Sequence, residues 1–268
     1  MPLIDTHLHS LISYDGRDHR SDLARTAARL GIQTLCFTDH YELVEHRGGL
    51  SAPWDWTETR KEHKAALDLR GCPVELLYGI ELGNPEDNPD CAREALSEPG
   101  LDFAIGSIHF ATEKLDREDH YYVKFRSPEQ CHFYLDDYFT AMEGLVNWNG
   151  FDSLGHIPYP LRYMRERDGI QVNLLPYEER IRIMLRKLAE NGKALEVNSC
   201  RSKILMPEYG WLLGLFQEEG GEFVTVGTDS HCCEHMGLGL LESNALLEAK
   251  GFRYVTIFRG RKPAPVKL

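Results

Sequence analysis

Short apolar runs alternate with longer amphipathic stretches along the chain. The runs predict strands buried on both faces, which read as nearly continuous apolar segments. These strands are Leu3–Thr6, Thr34–Thr38, Val74–Ile80, Phe103–Ile108, Ser153–His156, Ala194–Asn198, Phe223–Gly227 and Tyr254–Phe258. The predicted helices are Ser21–Leu30, Thr57–Leu69, Pro128–Trp148, Pro176–Asn191, Pro207–Glu219 and Glu242–Lys250. This alternation predicts right-handed βαβ crossovers and a parallel sheet, either open or closed into a barrel.

The sequence favours one domain spanning residues 1–268. No composition break and no Gly/Ser/Pro-rich linker divides the chain, and α/β barrels of this length occur as single units. Its 42% hydrophobic and 27% charged residues are typical of a globular protein. The excess of 42 acidic over 30 basic side chains gives a net charge of −12, which provides no general attraction to nucleic acid or to an anionic membrane.

The expected location is the cytoplasm. The amino terminus lacks the cationic start and the apolar stretch of a signal peptide, and no apolar run is long enough to span a membrane. The seven cysteines include no C-x-x-C pair, and their odd number favours reduced thiols over a disulfide framework.

Polar and metal-binding residue types follow the predicted strands, at the point where each strand ends. They are His7 and His9, Asp39 and His40, Glu81, His109, His156, Asn198 and Ser199, and Asp229 and His231. Because the carboxyl ends of parallel strands open on one face, we expect these side chains to converge. Each residue alone has an ordinary explanation, such as a hydrogen-bonded core histidine or a helix N-cap. Seven consecutive strands that end in this way indicate a site.

The residue types predict a metal centre. Glu81 follows an apolar run, where a buried carboxylate requires a cation or hydrogen-bond donors. Imidazole and carboxylate ligands without thiolate suit zinc, manganese or iron in a hydrolytic site. The candidates also outnumber the ligands that one ion needs. The sequence therefore predicts two to three divalent transition-metal ions (Zn, Mn or Fe) that share a carboxylate.

The stretches DTHLHS, TDH, GIE, GSIH, GHI and GTDSH, in this order over residues 5 to 231, resemble the polymerase and histidinol phosphatase (PHP) family of metallophosphoesterases. The length and the wording of these motifs look most like the stand-alone histidinol-phosphate phosphatases. The resemblance implies a single distorted (β/α)7 TIM-like barrel.

The resemblance also implies a set of metal ligands. The first ion would be held by His7, His9, Glu81 and Asp229. Glu81 would bridge to a second ion held by His109 and His156. A third ion would be held by Asp15, His40 and His231, although many family members have histidine where Asp15 stands. Asp39 is expected to orient a neighbouring imidazole or to cap a helix.

The substrate contacts follow from the same resemblance. Arg162 and Arg201 would bind the phosphate, with Tyr121 or Tyr122 beside them, and guanidinium geometry suits a phosphate. Arg162 has a competing interpretation as a solvated surface charge, because Arg165 and Arg167 lie close to it in sequence. A hydroxide bridging the metal ions would attack phosphorus. His40 or Asp229 would protonate the leaving group, and the sequence leaves this choice open.

The expected function is a metal-dependent phosphomonoesterase that converts L-histidinol phosphate and water to L-histidinol and phosphate, in histidine biosynthesis. The expected partner is therefore a small phosphorylated metabolite. The alternative is a phosphoesterase or phosphodiesterase acting on nucleotides or other small phosphate esters. A metal-dependent amidohydrolase would predict a bridging lysine where Glu81 stands. A non-catalytic scaffold would not need the full ligand set. The basic segment 259–262 is expected to be a solvated terminus.

Overall fold

The structure contains the predicted strands and helices, with bounds that differ by a few residues, and in addition two short helices and two strands that were not predicted. The structure, a computed structural model, describes residues 2–199 and 206–268. The strands are β1 (Leu3–Leu8), β2 (Ile32–Phe37), β3 (His40–Glu42), β4 (Glu75–Gly83), β5 (Phe103–Ser107), β6 (Ser153–Leu154), β7 (Ala194–Asn198), β8 (Val224–Gly227), β9 (Tyr254–Arg259) and β10 (Lys262–Lys267). The helices are α1 (Arg20–Leu30), α2 (Thr57–Leu67), α3 (Pro89–Ala95), α4 (Pro128–Trp148), α5 (Tyr159–Leu161), which continues as a π-helical turn (Arg162–Arg167), α6 (Glu178–Glu190), α7 (Met206–Glu218) and α8 (Leu240–Ala249).

Seven parallel strands curl into a nearly closed barrel in the order β1-β2-β4-β5-β6-β7-β8. The two ends of this row meet because β1 runs beside the segment that follows β8. The backbone N–H of Asp229 donates to the carbonyl of His7 over 2.7 Å, and that of His9 donates to Ser230 over 2.8 Å. The hydroxyl of Thr6 adds a hydrogen bond of 3.0 Å to the carbonyl of Val226. The expected (β/α)7 barrel is confirmed.

The barrel is distorted where two strands share β4. The first half of β4 pairs with β2, and its second half pairs with the three-residue strand β3. Thr38 and Asp39 separate β2 from β3, and this interruption sets His40 opposite Glu81. Strand β3 was not predicted, because three residues are too few to give a periodic pattern.

The helices cover the outside of the barrel with their apolar faces. Leu23 and Ala27 of α1 and Leu185 of α6 are fully buried. Local signals set the helix ends: the Ser127 hydroxyl caps α4 by accepting from the Gln130 backbone N–H over 3.2 Å. Within residues 2–199 and 206–268, no helix is long and apolar enough to cross a membrane.

The carboxyl-terminal segment differs from the prediction. The eighth predicted strand forms β9, which pairs antiparallel with β10 in a hairpin outside the barrel sheet. Gly260 and Arg261 both have positive φ angles, 54° and 64°, and they form the tight turn of this hairpin. Strand β10 was not predicted because it contains Pro263 and Pro265, and proline within a segment argues against a strand except at the edge of a sheet.

The expectation that the basic segment 259–262 is a solvated terminus holds only in part: Arg259 and Lys262 are exposed, whereas Arg261 is half-buried. Arg261 pairs with the buried carboxylate of Asp152, which lies just before β6. Arg259 pairs with Glu75 at the start of β4, with a shortest distance of 2.6 Å. The hairpin therefore closes the barrel base, which we define as the end formed by the amino-terminal ends of the strands. The opposite end is called the barrel mouth.

Candidate metal centre

The predicted ligands meet at the barrel mouth, beginning with the two histidines of β1 and the residue after it. His7 and His9 are two residues apart in an extended segment, so their side chains lie on the same face. Both side chains are fully buried, and their Nε2 atoms lie 3.1 Å apart. This pair forms one wall of a cluster of imidazoles and carboxylates.

Glu81 lies at the centre of the cluster, and its two carboxylate oxygens face different imidazoles. Oε2 lies 2.9 Å from Nδ1 of His40 and 3.3 Å from Nε2 of His7. Oε1 lies 3.0 Å from Nε2 of His156 and 3.3 Å from Nε2 of His109. Glu81 therefore lies between two pairs of imidazoles, one at each carboxylate oxygen.

Asp229 completes the wall beside His7 and His9. It follows β8 with a positive φ of 54°, a conformation that aspartate tolerates better than most residues. Its Oδ1 lies 3.1 Å from Nε2 of His9 and 3.7 Å from Nε2 of His7. Its Oδ2 accepts a hydrogen bond of 3.0 Å from Arg162. One carboxylate thus contacts both the histidine cluster and a guanidinium.

The three residues expected to hold a third ion lie at the outer edge of the cluster. Asp15 Oδ2 is 3.1 Å from Nε2 of His231, and its Oδ1 is 3.9 Å from Nε2 of His40. The rings of His40 and His231 stack on His9 with centroids 4.1 and 4.2 Å away. Asp15 is the most exposed of these ligands, with 41% of its side chain accessible.

The charges of the cluster depend on one another. Burial alone would raise the pKa of Glu81 and Asp229, but the surrounding imidazoles, His7 first, hold both pKa values well below their usual range. Burial opposes the charge on His7 and His109, yet the neighbouring carboxylates raise the pKa of both well above the usual value. Burial, together with His40 and His231 beside it, lowers the pKa of His9 to about 3. The imidazoles are too close for all of them to be protonated.

The donor set fits divalent metal ions. Four overlapping groups each bring their ligand atoms within 4.8 Å of one another: His7, His9 and Asp229; His7, Glu81 and His156; His9, His40 and His231; and His40, Glu42 and His109. Glu81 Oε2 is buried and has no aligned hydrogen-bond donor among the described residues, although Nδ1 of His40 lies 2.9 Å away, as expected for an oxygen that faces a cation. Nitrogen and oxygen donors in groups of this kind suit zinc, manganese and iron.

Two carboxylates at the cluster were not among the predicted ligands. Glu42 Oε1 lies 2.8 Å from Nδ1 of His109. Glu196 Oε1 lies 2.6 Å from Nδ1 of His7, and its Oε2 accepts from the backbone N–H of His156 over 2.8 Å. The only sequence signal for Glu196 is a charged residue inside an apolar run, and Glu42 lies in the unpredicted strand β3.

The predicted phosphate-binding residues have different positions. Arg162 lies at the mouth, where its second nitrogen donates to Oδ1 of Asn198 over 2.7 Å. Arg165 pairs with Glu208, and Arg167 pairs with Asp168. Among the ion pairs and hydrogen bonds of the described residues, those of Arg162 reach the cluster, whereas those of Arg165 and Arg167 do not. Arg201 lies outside the described residues.

The predicted tyrosines lie at the surface, and a different tyrosine contacts the cluster. Tyr121 and Tyr122 are 56% and 60% exposed, and their rings contact Tyr163 and His46, respectively. The ring of Tyr159 stacks on His156 with centroids 4.9 Å apart and lies 5.3 Å from His109. Tyr159 is buried, and the guanidinium of Arg162 lies 5.5 Å from its ring centroid.

Comparisons with known proteins find relatives over nearly the whole chain and a solved structure with the same fold. "Probable histidinol-phosphatase" of Thermotoga maritima is 30% identical over 269 residues, which cover 99% of this chain and 100% of that protein. Histidinol-phosphatase of Lactococcus lactis subsp. lactis is 26% identical, and the alignment covers 98% of this chain and 96% of that protein. The crystal structure of histidinol phosphate phosphatase from Lactococcus lactis, complexed with zinc, L-histidinol and phosphate, matches with a TM-score of 0.79 at 24% identity over 98% of both chains.

A family model covers most of the chain as well. The model of the PHP domain matches residues 5–200, which include the ends of strands β1 to β7. The barrel, the clustered ligands and this match together lead to one conclusion: the chain belongs to the PHP domain family.

Proposed function

We propose that this protein is a metal-dependent phosphomonoesterase that hydrolyses L-histidinol phosphate to L-histidinol and phosphate, as a step of histidine biosynthesis. The observation that carries the proposal is the fully buried Glu81 carboxylate, which lies within 3.3 Å of four imidazoles at the mouth of the barrel. Relatives named histidinol-phosphatase align with nearly the whole chain, which supports the choice of substrate. One domain spanning residues 1–268 carries the activity.

The ligand assignment is the one that the family resemblance implies, with Glu81 shared by the first two ions. His7, His9, Glu81 and Asp229 hold one ion; Glu81, His109 and His156 hold a second; and Asp15, His40 and His231 hold a third. Divalent transition-metal ions bound there (Zn, Mn or Fe) supply a water deprotonated near neutral pH and positive charge for the phosphate oxygens. The surrounding carboxylates keep the imidazoles oriented for this purpose.

The chain supplies the remaining contacts to the phosphate. Arg162 binds the phosphate oxygens, and its hydrogen bonds to Asp229 and Asn198 fix the direction of its guanidinium before the substrate arrives. Arg201 is a second phosphate-binding arginine, and Tyr121 or Tyr122 contacts the substrate from the rim of the mouth. Of the two candidate proton donors for the leaving alkoxide, His40 and Asp229, His40 is favoured, because the surrounding imidazoles hold the pKa of Asp229 well below its usual range and keep it ionised.

A phosphate-release panel tests this function. Phosphate release is measured for L-histidinol phosphate, mononucleotides and a sugar phosphate, and release of the coloured alcohol is measured for a chromogenic phosphodiester, each in the presence of Zn, Mn or Fe. We expect kcat/KM for histidinol phosphate to exceed the others by roughly 10²-fold or more, since buried polar groups discriminate strongly against substrates that leave them unpaired. A nucleotide or diester hydrolysed with equal or higher kcat/KM would overturn the proposal. The Glu81→Ala protein, purified in the same way, reports any contaminating phosphatase.

A further inference from the structure

A buried carboxylate lies directly behind the metal centre, in the interruption between β2 and β3. Asp39 accepts hydrogen bonds from the backbone N–H of Ser10 over 2.6 Å and from that of Ser13 over 3.2 Å. The hydroxyls of both serines also donate to it, over 2.7 Å for Ser10 and 2.8 Å for Ser13. Arg20 of α1 pairs with it at 2.7 Å, and the Arg20 side chain is fully buried.

The hydroxyl of Ser13 connects this carboxylate to two predicted metal ligands. Its proton is donated to Oδ1 of Asp39, so its oxygen can act towards other groups only as an acceptor. That oxygen accepts from the backbone N–H of His40 over 3.0 Å and lies 3.1 Å from Nδ1 of His9. A hydrogen bond between the Ser13 oxygen and Nδ1 of His9 therefore requires that Nδ1 carries a proton.

The tautomer of His9 decides which nitrogen can bind a metal ion. With the proton on Nδ1, the lone pair of Nε2 is free, and Nε2 is the atom that lies 3.1 Å from Asp229 and 3.5 Å from Glu81. The opposite tautomer would place a hydrogen on Nε2, facing the other ligands. The hydrogen-bond direction at Ser13 therefore selects the tautomer of His9 that suits the cluster.

We propose that Ser13 is a positioning residue of the metal centre: its hydroxyl, oriented by the Asp39–Arg20 pair, fixes the metal-binding tautomer of His9 and the backbone of His40. The inference rests on the proposed metal centre. In this proposal the ion pair between Asp39 and Arg20 of α1 sets the geometry of His9, assigned to the first ion, and of His40, assigned to the third.

Ser10 provides a matched control. It is buried like Ser13, and its hydroxyl donates to the same carboxylate over 2.7 Å. Its oxygen faces the backbone N–H of Ile12 at 3.4 Å and Nε of Arg20 at 3.5 Å, not an imidazole nitrogen. Ser10→Ala and Ser13→Ala therefore remove equivalent support from Asp39, and only Ser13→Ala removes the acceptor for His9.

The experiment measures zinc affinity of the full-length protein by competition with a chromogenic chelator. We expect Ser13→Ala to weaken zinc binding by roughly 10–100-fold, the usual cost of losing a partner that orients a ligand. Ser10→Ala should change it by less than about 3-fold, a small part of that loss. Wild-type affinity in Ser13→Ala, or an equal loss in both variants, would overturn the proposal.

A second measurement needs no variant at Ser13. In zinc-loaded wild-type protein labelled with ¹⁵N-histidine, long-range ¹H–¹⁵N spectra should show His9 protonated at Nδ1 and metal-bound through Nε2, with the signal assigned by comparison with His9→Gln. A metal-bound Nδ1 would contradict the role of Ser13. Neither readout depends on turnover, so the positioning role can fail while the proposed phosphatase activity stands, and the reverse.

Discussion

The two ends of the barrel both bury acidic side chains, but they offset the charge in different ways. At the base, Asp152 pairs with Arg261, and Glu75 pairs with Arg259. At the mouth, Glu81 and Asp229 face mainly imidazoles. Strand β4 connects the two ends, with Glu75 as its first residue and Glu81 near its last.

The difference separates stability from function. A guanidinium is charged at every accessible pH, so an acid paired with it at the base needs nothing from outside the chain. An imidazole is charged only under some conditions, and burial beside other imidazoles lowers the pKa of His9 to about 3. We therefore expect bound cations to matter at the mouth and not at the base.

The largest expected effect comes from Glu81→Ala. Losing a single electrostatic stabiliser of a transition state already costs about 10²–10³-fold, so removing the carboxylate that we propose to be shared by two ions should lower kcat by roughly 10³-fold or more. Phosphate release and metal content measure the change, and circular dichroism checks that the barrel is folded.

Glu75→Ala is the matched control at the other end of the same strand. Its partner Arg259 is 49% exposed, so its loss should cost about 1 kcal/mol or less in unfolding free energy and leave kcat unchanged. Equal losses of activity in the two variants, or normal phosphate release by Glu81→Ala, would remove the distinction between mouth and base.

A smaller effect, on stability alone, is expected from Arg261→Ala. This variant leaves the carboxylate of Asp152, 5% exposed, without its guanidinium and removes a hydrogen bond of 2.7 Å to the carbonyl of Gly150. The unfolding free energy should fall by about 2–3 kcal/mol, somewhat less than for a fully buried pair. Urea denaturation measures this loss. Arg259→Ala serves as the exposed control, and a large drop in kcat for Arg261→Ala with intact fold would show that the base also serves catalysis.

The smallest effect concerns Glu86, an acid that has neither a guanidinium nor an imidazole as its partner among the residues that the structure describes. Burial raises the pKa of Glu86 from 4.5 to about 8. The folded protein therefore holds this proton more tightly than the unfolded chain, and the unfolding free energy falls as the pH rises between these two values. Glu86→Gln, which stays neutral, lacks this contribution.

The pH dependence is measured as the difference between wild type and Glu86→Gln in urea denaturation. From about pH 6 to about pH 7, the wild type should lose about 1 kcal/mol relative to the variant, close to the limit for one proton per pH unit. Parallel pH profiles of the two proteins would show that Glu86 is ionised in the folded state at these pH values.

The positions of His7, Glu81 and Asp229 could be predicted because polar residues directly after apolar runs lie at strand ends. Parallel strands bring those ends together whatever the separation in sequence. The seven-strand barrel came from the family resemblance, since spacing did not distinguish a closed from an open sheet.

The partners of those residues could not be predicted. Glu196 reaches His7 across 189 positions of sequence, and nothing in an apolar strand indicates which neighbour a buried acid will contact. Ser13 lies in a loop without periodicity, so its contacts with Asp39 and His9 depend on the folded backbone. The hairpin at the base was missed for a related reason, because Arg261 looks like a surface charge until Asp152 is placed beside it.

The most direct test of the account is the metal content of the protein as purified, determined by elemental analysis alongside its phosphatase activity. The account predicts two to three equivalents of zinc, manganese or iron per chain, with activity lost when a chelator removes them and restored when they are returned. A metal-free preparation with full activity would contradict the claim that the histidines and carboxylates at the barrel mouth form a metal centre.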